Sequence, residues 1–212
     1  GITDSDTVVC WGHASGNRTN APSGTFVDLS VGESQSCAVT TSGIVECWGY
    51  GIEEGEPYAP TGTFKSVNTG KDHACGVTTS DTVECWGDPH TLGSESDAPS
   101  GTFKSVTAGK SQTCGITTAG SLECWGSHTL HPDAPPTATY RAVSAGSHIC
   151  AITDTGTVEC WASWNESGQG DAPSGTFDNL SVGSGHTCGV TTTGEMVCWG
   201  ENHTGQTSPP EL

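Results

Sequence analysis

The chain has 212 residues, with 24 acidic side chains against 6 basic ones and a formal net charge of -18. That balance excludes the cationic footprint that nucleic acid or an anionic membrane needs, and it suits an acidic, soluble surface or a cationic partner. No run of about 18 apolar residues is present, so no membrane insertion is expected, and no signal-peptide pattern opens the sequence, so an exported form would be a mature chain or a fragment.

The first twelve residues, GITDSDTVVCWG, read as a hairpin with its turn at Asp4-Ser5-Asp6 and Ile2 facing Val8. The pair Cys-Trp that ends this stretch then recurs at Cys10, Cys47, Cys85, Cys124, Cys160 and Cys198, in steps of 37, 38, 39, 36 and 38 residues. Between successive pairs the same parts follow in order. A variable loop comes first and an Ala-Pro second. An aromatic residue (Phe26, Phe64, Phe103, Tyr140 or Phe177) then opens a short strand that ends at glycine (Gly32, Gly70, Gly109, Gly146 or Gly183). A further cysteine and a hairpin return the chain to Cys-Trp. Short alternating stretches such as GTFKSVTAG and GSLECWG carry a period of two, and no window holds a helical apolar stripe for three turns, which predicts an all-β protein built from repeats.

Within each hairpin the two cysteines are ten positions apart, so facing cysteines leave a three-residue loop such as Thr41-Ser42-Gly43 or Thr118-Ala119-Gly120. Glycine at the third place suits a type I turn with a G1 bulge, because that residue has positive φ, and Asp81 holds the place in Thr79-Ser80-Asp81. Counting outward puts each cysteine pair where Cα atoms approach closest. Disulfides Cys37–Cys47, Cys75–Cys85, Cys114–Cys124, Cys150–Cys160 and Cys188–Cys198 are predicted, in preference to free thiols or zinc sites, since no CxxC spacing occurs. Such a density of bridges implies an oxidising compartment. Cys10 is left over, either unpaired or joined to another molecule, because its natural partner would precede Gly1. The same register places Val39 with Val45, Ile116 with Leu122 and Val190 with Met196 on the cysteine face, and Gly or Ala opposite Glu on the other.

Residues 183 to 210, GSGHTCGVTTTGEMVCWGENHTGQTSPP, resemble the repeat of the regulator of chromosome condensation (RCC1) superfamily. Trp199, Gly200, Asn202, Gly205, Gln206 and Pro209 fit its WGxNxxGQ…P half, and Gly183, His186 and Gly194 its AGxxH…G half. The resemblance extends over the whole chain, five times, and looks most like a secreted, cysteine-paired prokaryotic branch. It implies a β-propeller with about four strands per blade, an architecture shared by bacterial β-lactamase-inhibitor proteins of the second type. The middle blades depart from the motif, with GDPHTLGSESD after Trp86 and GSHTLHPD after Trp125, and Ala162 replaces the glycine after Trp161. The nuclear GTPase and chromatin role of the eukaryotic founder is not carried over to so acidic a chain. One domain, 1–212, is expected, with repeats starting at 10, 47, 85, 124 and 160. The terminal pieces 1–9 and 198–212 would supply a split, incomplete sixth blade, or the chain is a fragment of a longer propeller.

No nucleophile elbow, P-loop or other catalytic motif appears, and no cofactor is implied, so no enzyme is expected. His73, His148 and His186 share a repeat position with Gln35 and Gln112, which points to a structural hydrogen bond. Tyr50, Glu53, Glu54, Tyr58, His128, His131 and Trp164, all in the loops after Cys-Trp, are the candidate binding residues. Asn17, Asn165 and Asn202 form glycosylation sequons in the same loops, and a fourth, Asn179, falls in a strand and is expected to be less accessible. The function expected is a non-enzymatic extracellular structural or interaction module, self-assembling as a surface or filament protein through an incomplete blade. The alternative is a soluble propeller that inhibits an enzyme or binds carbohydrate through its variable loops.

Overall fold

The computed structural model describes residues 1–13, 15–49, 59–87, 97–126 and 138–208. Fifteen strands form five three-stranded antiparallel sheets. The first blade holds β1 (Phe26–Val31), β2 (Gln35–Thr40) and β3 (Val45–Gly49), and the second β4 (Phe64–Thr69), β5 (His73–Thr78) and β6 (Val83–Gly87). The third holds β7 (Phe103–Ala108), β8 (Gln112–Thr117) and β9 (Leu122–Gly126). The fourth holds β10 (Tyr140–Ala145), β11 (Ile149–Thr153) and β12 (Val158–Trp161), and the fifth β13 (Phe177–Val182), β14 (His186–Thr191) and β15 (Met196–Gly200). The chain is an all-β propeller of RCC1-like repeats. Its described blades have three strands rather than about four: after Trp161 the residues that could extend the sheet form turns, tied by Asn165 Oδ1 to Gly170 N at 2.7 Å.

The hairpins have the register that their turns dictate. Cys37 faces Cys47, Cys114 faces Cys124, and Val39, Val77 and Ile116 face Val45, Val83 and Leu122. Gly43, Gly120, Gly156 and Gly194 take φ between 85° and 92°, and Asp81 takes 67° in the one described hairpin of the five that lacks glycine there. Five disulfides join the facing cysteines, at Cα separations of 4.0 to 4.1 Å. Each inner strand carries a bulge directly after its aromatic residue, for example between Phe64 and Ser66, which adds local twist.

Blades stack by one repeated device. The cysteine face of each hairpin packs against the aromatic face of the next blade: Cys37, Val39 and Val45 meet Phe64, Val67, Ala74 and Trp86. Within a blade the inner aromatic ring lies over a residue with little or no side chain. A Cβ on Gly115 would stand 2.7 Å from Phe103, so glycine is what lets the ring settle against the sheet. Phe64, Phe103, Tyr140 and Phe177 meet the tryptophan of their own blade edge to face, with centroids 5.8 to 6.1 Å apart. Around the axis the strand-ending glycines come so close that a Cβ on Gly146 would lie 2.2 Å from the Gly183 carbonyl oxygen. Ser147 N–H donates to that same oxygen at 3.2 Å, so the backbone itself links the blades.

Candidate interaction surface

The stacking device leaves two faces without a neighbour among the described residues. At one end, Ile2 bridges Val8, and Val8 and Cys10 pack on Phe26, Ala38 and Trp48, so the first eleven residues stand on the first blade as one hairpin stands on the next. The far side of that hairpin is open: Trp11 is 79% exposed and Val9 49%. At the other end lies the cysteine face of β14 and β15. Its Met196 is 44% exposed, against 7% for Val45 and 5% for Leu122 at the same repeat position. Cys188 is half-buried there, whereas Cys37, Cys75, Cys114 and Cys150 are fully buried. Cys10 is a free, half-buried thiol.

The histidines bind blade to blade. His73 Nε2 lies 2.8 Å from Thr113 Oγ1 of the following blade, and His148 Nε2 lies 2.6 Å from Thr187 Oγ1. Each of these threonines also touches a cysteine sulfur of the histidine's own blade at 3.7 Å. Where glutamine holds the position, Gln112 Nε2 donates to the Gly146 carbonyl of the next blade at 2.8 Å instead. In the last blade His186 is half-buried, at the edge of the open face. Tyr140 takes the place of phenylalanine and donates its hydroxyl to Glu159 at 2.7 Å; burial first, then that carboxylate, raises its pKa far above the usual phenol value.

Burial, and then the neighbouring His186, lower His148 to a pKa of about 4 from an ordinary 6.5. Its Nδ1 has no hydrogen-bond partner, so the charged form would be buried without compensation. The folded state therefore binds this proton less readily than the unfolded chain. Stability is fully present above pH about 6.5 and falls as pH drops toward about 4. Unfolding midpoints in urea across that window should decline less for His148→Gln, which places in the fourth blade the side chain that the third blade carries; equal declines would remove His148 as the source.

A cavity of about 470 Å³ opens on the axis, ringed by the strand-ending glycines, with Lys71 and Lys110 on its rim. Lys71 pairs with Asp72 at 3.3 Å. Among the described residues no group of three His, Cys, Asp or Glu side chains gathers as metal ligands would. No helix of the described residues is long and apolar enough to cross a membrane.

Of the binding loops singled out in the sequence, Tyr50, Glu53, Glu54, Tyr58, His128 and His131 lie outside the described residues. Trp164 is 75% exposed on a tightly tied loop: Gln169 Nε2 donates to the Trp164 carbonyl, and Asn165 Nδ2 donates to Asp171 at 2.8 Å. Asn165 thus closes its own loop, and Asn202, the asparagine of the WGxNxxGQ motif, does the same by accepting from Thr207 N at 3.0 Å. The amides of Asn165 and Asn202 are engaged in these closures, while Asn17 accepts from Asn20 at 3.3 Å. Asn179 is exposed on β13 rather than less accessible, because its side chain leaves the bulged edge of the inner strand. The sequence signalled this face only through its incomplete terminal repeats, since Val190 and the cysteine pair match those of the other hairpins.

Residues 177–206 match the family described as regulator of chromosome condensation (RCC1) repeat. A search of curated protein sequences finds no significant match. Among solved structures, the entire ectodomain of the receptor kinase CR4 from Physcomitrella patens is 30% identical, with a TM-score of 0.79 over 93% of this chain and 57% of that one. The CRINKLY WD40 ectodomain of the Arabidopsis thaliana receptor kinase ACR4 is 27% identical, with a TM-score of 0.74 over 92% of this chain and 73% of that one. Prp20p from Saccharomyces cerevisiae, described with its binding to Gsp1p and histones, shares the fold at 17% identity and a TM-score of 0.69, over 88% of this chain and 61% of its own. This chain therefore spans about three fifths of the moss ectodomain and of the yeast protein.

Proposed function

We propose that this chain is a non-enzymatic extracellular interaction module whose partner is protein, docking on the open cysteine face of the last blade, with a second copy as the first occupant. One observation carries the reading. Among the described residues the next blade covers that face in four blades, while in the fifth Met196 is 44% exposed and Val190 and the Cys188–Cys198 bridge are half-buried. Five disulfides and the likeness to two plant receptor ectodomains support an extracellular setting. Fold alone does not assign a partner, so the reading rests on the surface. Light scattering over a concentration series should show reversible growth in mass, and a mass that stays monomeric at every concentration would remove the proposal.

A second reading is favoured by Trp164. A rigid loop presenting an indole suits a soluble propeller that binds carbohydrate or blocks an enzyme's cleft. Trp164→Ala should then abolish retention on an immobilised glycan or the inhibition, with the mass series unchanged.

A further inference from the structure

We infer that the axial cavity is a binding site for a sugar acid, a small ligand that carries one acidic group among several hydroxyls. The charge distribution points there. Five of the six basic side chains, Lys65, Lys71, Lys104, Lys110 and Arg141, lie on the inner strands of the second, third and fourth blades or directly after the glycines that end them, in a chain with 24 acidic residues. Lys65 is neutralised by Asp81 and Arg141 by Asp178. Lys71 and Lys110 hold the same place in successive blades, and both line the cavity. Lys71 has Asp72 beside it, and Lys110 makes no ion pair among the described residues.

The backbone ties these two lysines to the axis. Lys71 N–H donates to the Gly109 carbonyl at 3.2 Å, and Lys110 N–H donates to the Gly146 carbonyl at 3.0 Å, so each is bound to the blade after its own. Only glycine permits that approach. A Cβ on Gly70 would lie 2.3 Å from the Gly109 carbonyl oxygen, and one on Gly109 2.7 Å from that of Gly146. Gln112 Nε2 donates to the same Gly146 carbonyl at 2.8 Å while its Oε1 accepts from Ser111 N at 3.1 Å, which clamps the turn that carries Lys110. Both lysines stand in blades with a neighbour on either side. The cavity they line, of about 470 Å³, falls within the roughly 300–1,000 Å³ of small-molecule sites.

The other rim groups set the chemistry of the ligand. At the place of Lys71 and Lys110 the remaining blades carry Glu33, Ser147 and Ser184, which also line the cavity. The lysines draw one acidic group into a concave mouth that concentrates their field. The serine hydroxyls donate or accept and the Glu33 carboxylate accepts, so this side of the rim suits ligand hydroxyls. Glu33 also repels a second acidic group, which disfavours dicarboxylates and tricarboxylates. One acid beside a set of hydroxyls is the pattern of a sugar acid. The site is separate from the cysteine face of the last blade and from the Trp164 loop.

The test is a titration of the folded chain with glucuronate, followed through backbone amide NMR shifts, with glucose, citrate and inorganic sulfate as comparison probes. Glucuronate should shift Gly109, Lys110 and Gly146 saturably and bind about tenfold or more tighter than each of the other three. Lys71→Gln and Lys110→Gln should each weaken it about tenfold, the worth of a charge-assisted hydrogen bond. Both side chains reach solvent, so thermal unfolding of these variants should match that of the parent chain. Lys104→Gln removes the same charge from a residue outside the cavity lining and should change affinity by less than about twofold, because salt screens distant charges. Absence of a saturable shift with glucuronate, or binding that Lys71→Gln and Lys110→Gln leave unaltered, overturns the site. Citrate or sulfate binding as tightly as glucuronate would mark a general anion site, and glucose binding as tightly would remove the lysines from recognition; either overturns the sugar-acid assignment.

Discussion

Replacing Phe103 by alanine should lower stability by about 3–5 kcal/mol. The ring is fully buried and does two jobs. It lies across Gly115 of its own blade, and it meets Cys75, Val77 and Val83 of the blade before, so its loss opens a cavity at a sheet-to-sheet contact. Neighbouring atoms cannot close that cavity cheaply, because Gly115 has no side chain to swing in and the Trp125 ring is fixed edge-on at 6.0 Å. Phe103→Leu refills part of the volume and should cost clearly less. Urea unfolding followed by tryptophan fluorescence measures both, and a cost for alanine no larger than that for leucine would show that the blades relax into the gap. Repeat arrays transmit stability only through nearest-neighbour contacts, so the second and third blades should loosen first.

Removing the Cys114–Cys124 bridge with paired alanines should cost about 2–5 kcal/mol. The bridge closes a loop of separation 10, for which the chain-entropy model allows about 3 kcal/mol. Its location adds to that figure. Cys114 is fully buried and packs with Ile116 and Leu122 against Tyr140 and Ile149, so its sulfur helps fill the third-to-fourth blade contact, whereas Cys124 is exposed. The matching pair in the last blade, Cys188 and Cys198, lies on the open face and should lose only the loop-closure part in a monomer. Thermal unfolding of the two double variants side by side tests this, and equal losses would show that packing around the bridge contributes nothing.

The hairpins were legible because everything that specifies them is local. A three-residue turn ending in Gly43 or Asp81 sets which residues face each other, and the ten-residue spacing then brings cysteine onto cysteine. The strand count was less so. The resemblance implied about four strands, and the residues after Trp161 fold instead into a loop closed by Asn165, a competition between side-chain and ladder hydrogen bonds that composition does not weigh. The histidines were readable as structural, yet their partners were not, since Thr113 and Thr187 lie 39 to 40 residues away in another sheet. The candidate surface was least legible. Met196 and Val190 have the same apolar character as their counterparts in every blade, and only a missing neighbour distinguishes them.

The family resemblance implied the propeller; by itself, the amino-acid sequence determined the all-β class, the turn types and the pairing within each hairpin. Each of these follows from contacts about ten residues apart, repeated five times with the same chemistry. Only the tertiary structure decided which sides of those hairpins meet solvent. Stacking is a relation between residues one repeat apart, and each repeat predicts the same covered face for itself. Among the described residues Trp11 and Met196 keep the residue types of a buried contact and are exposed, a difference that no pattern within a single repeat displays.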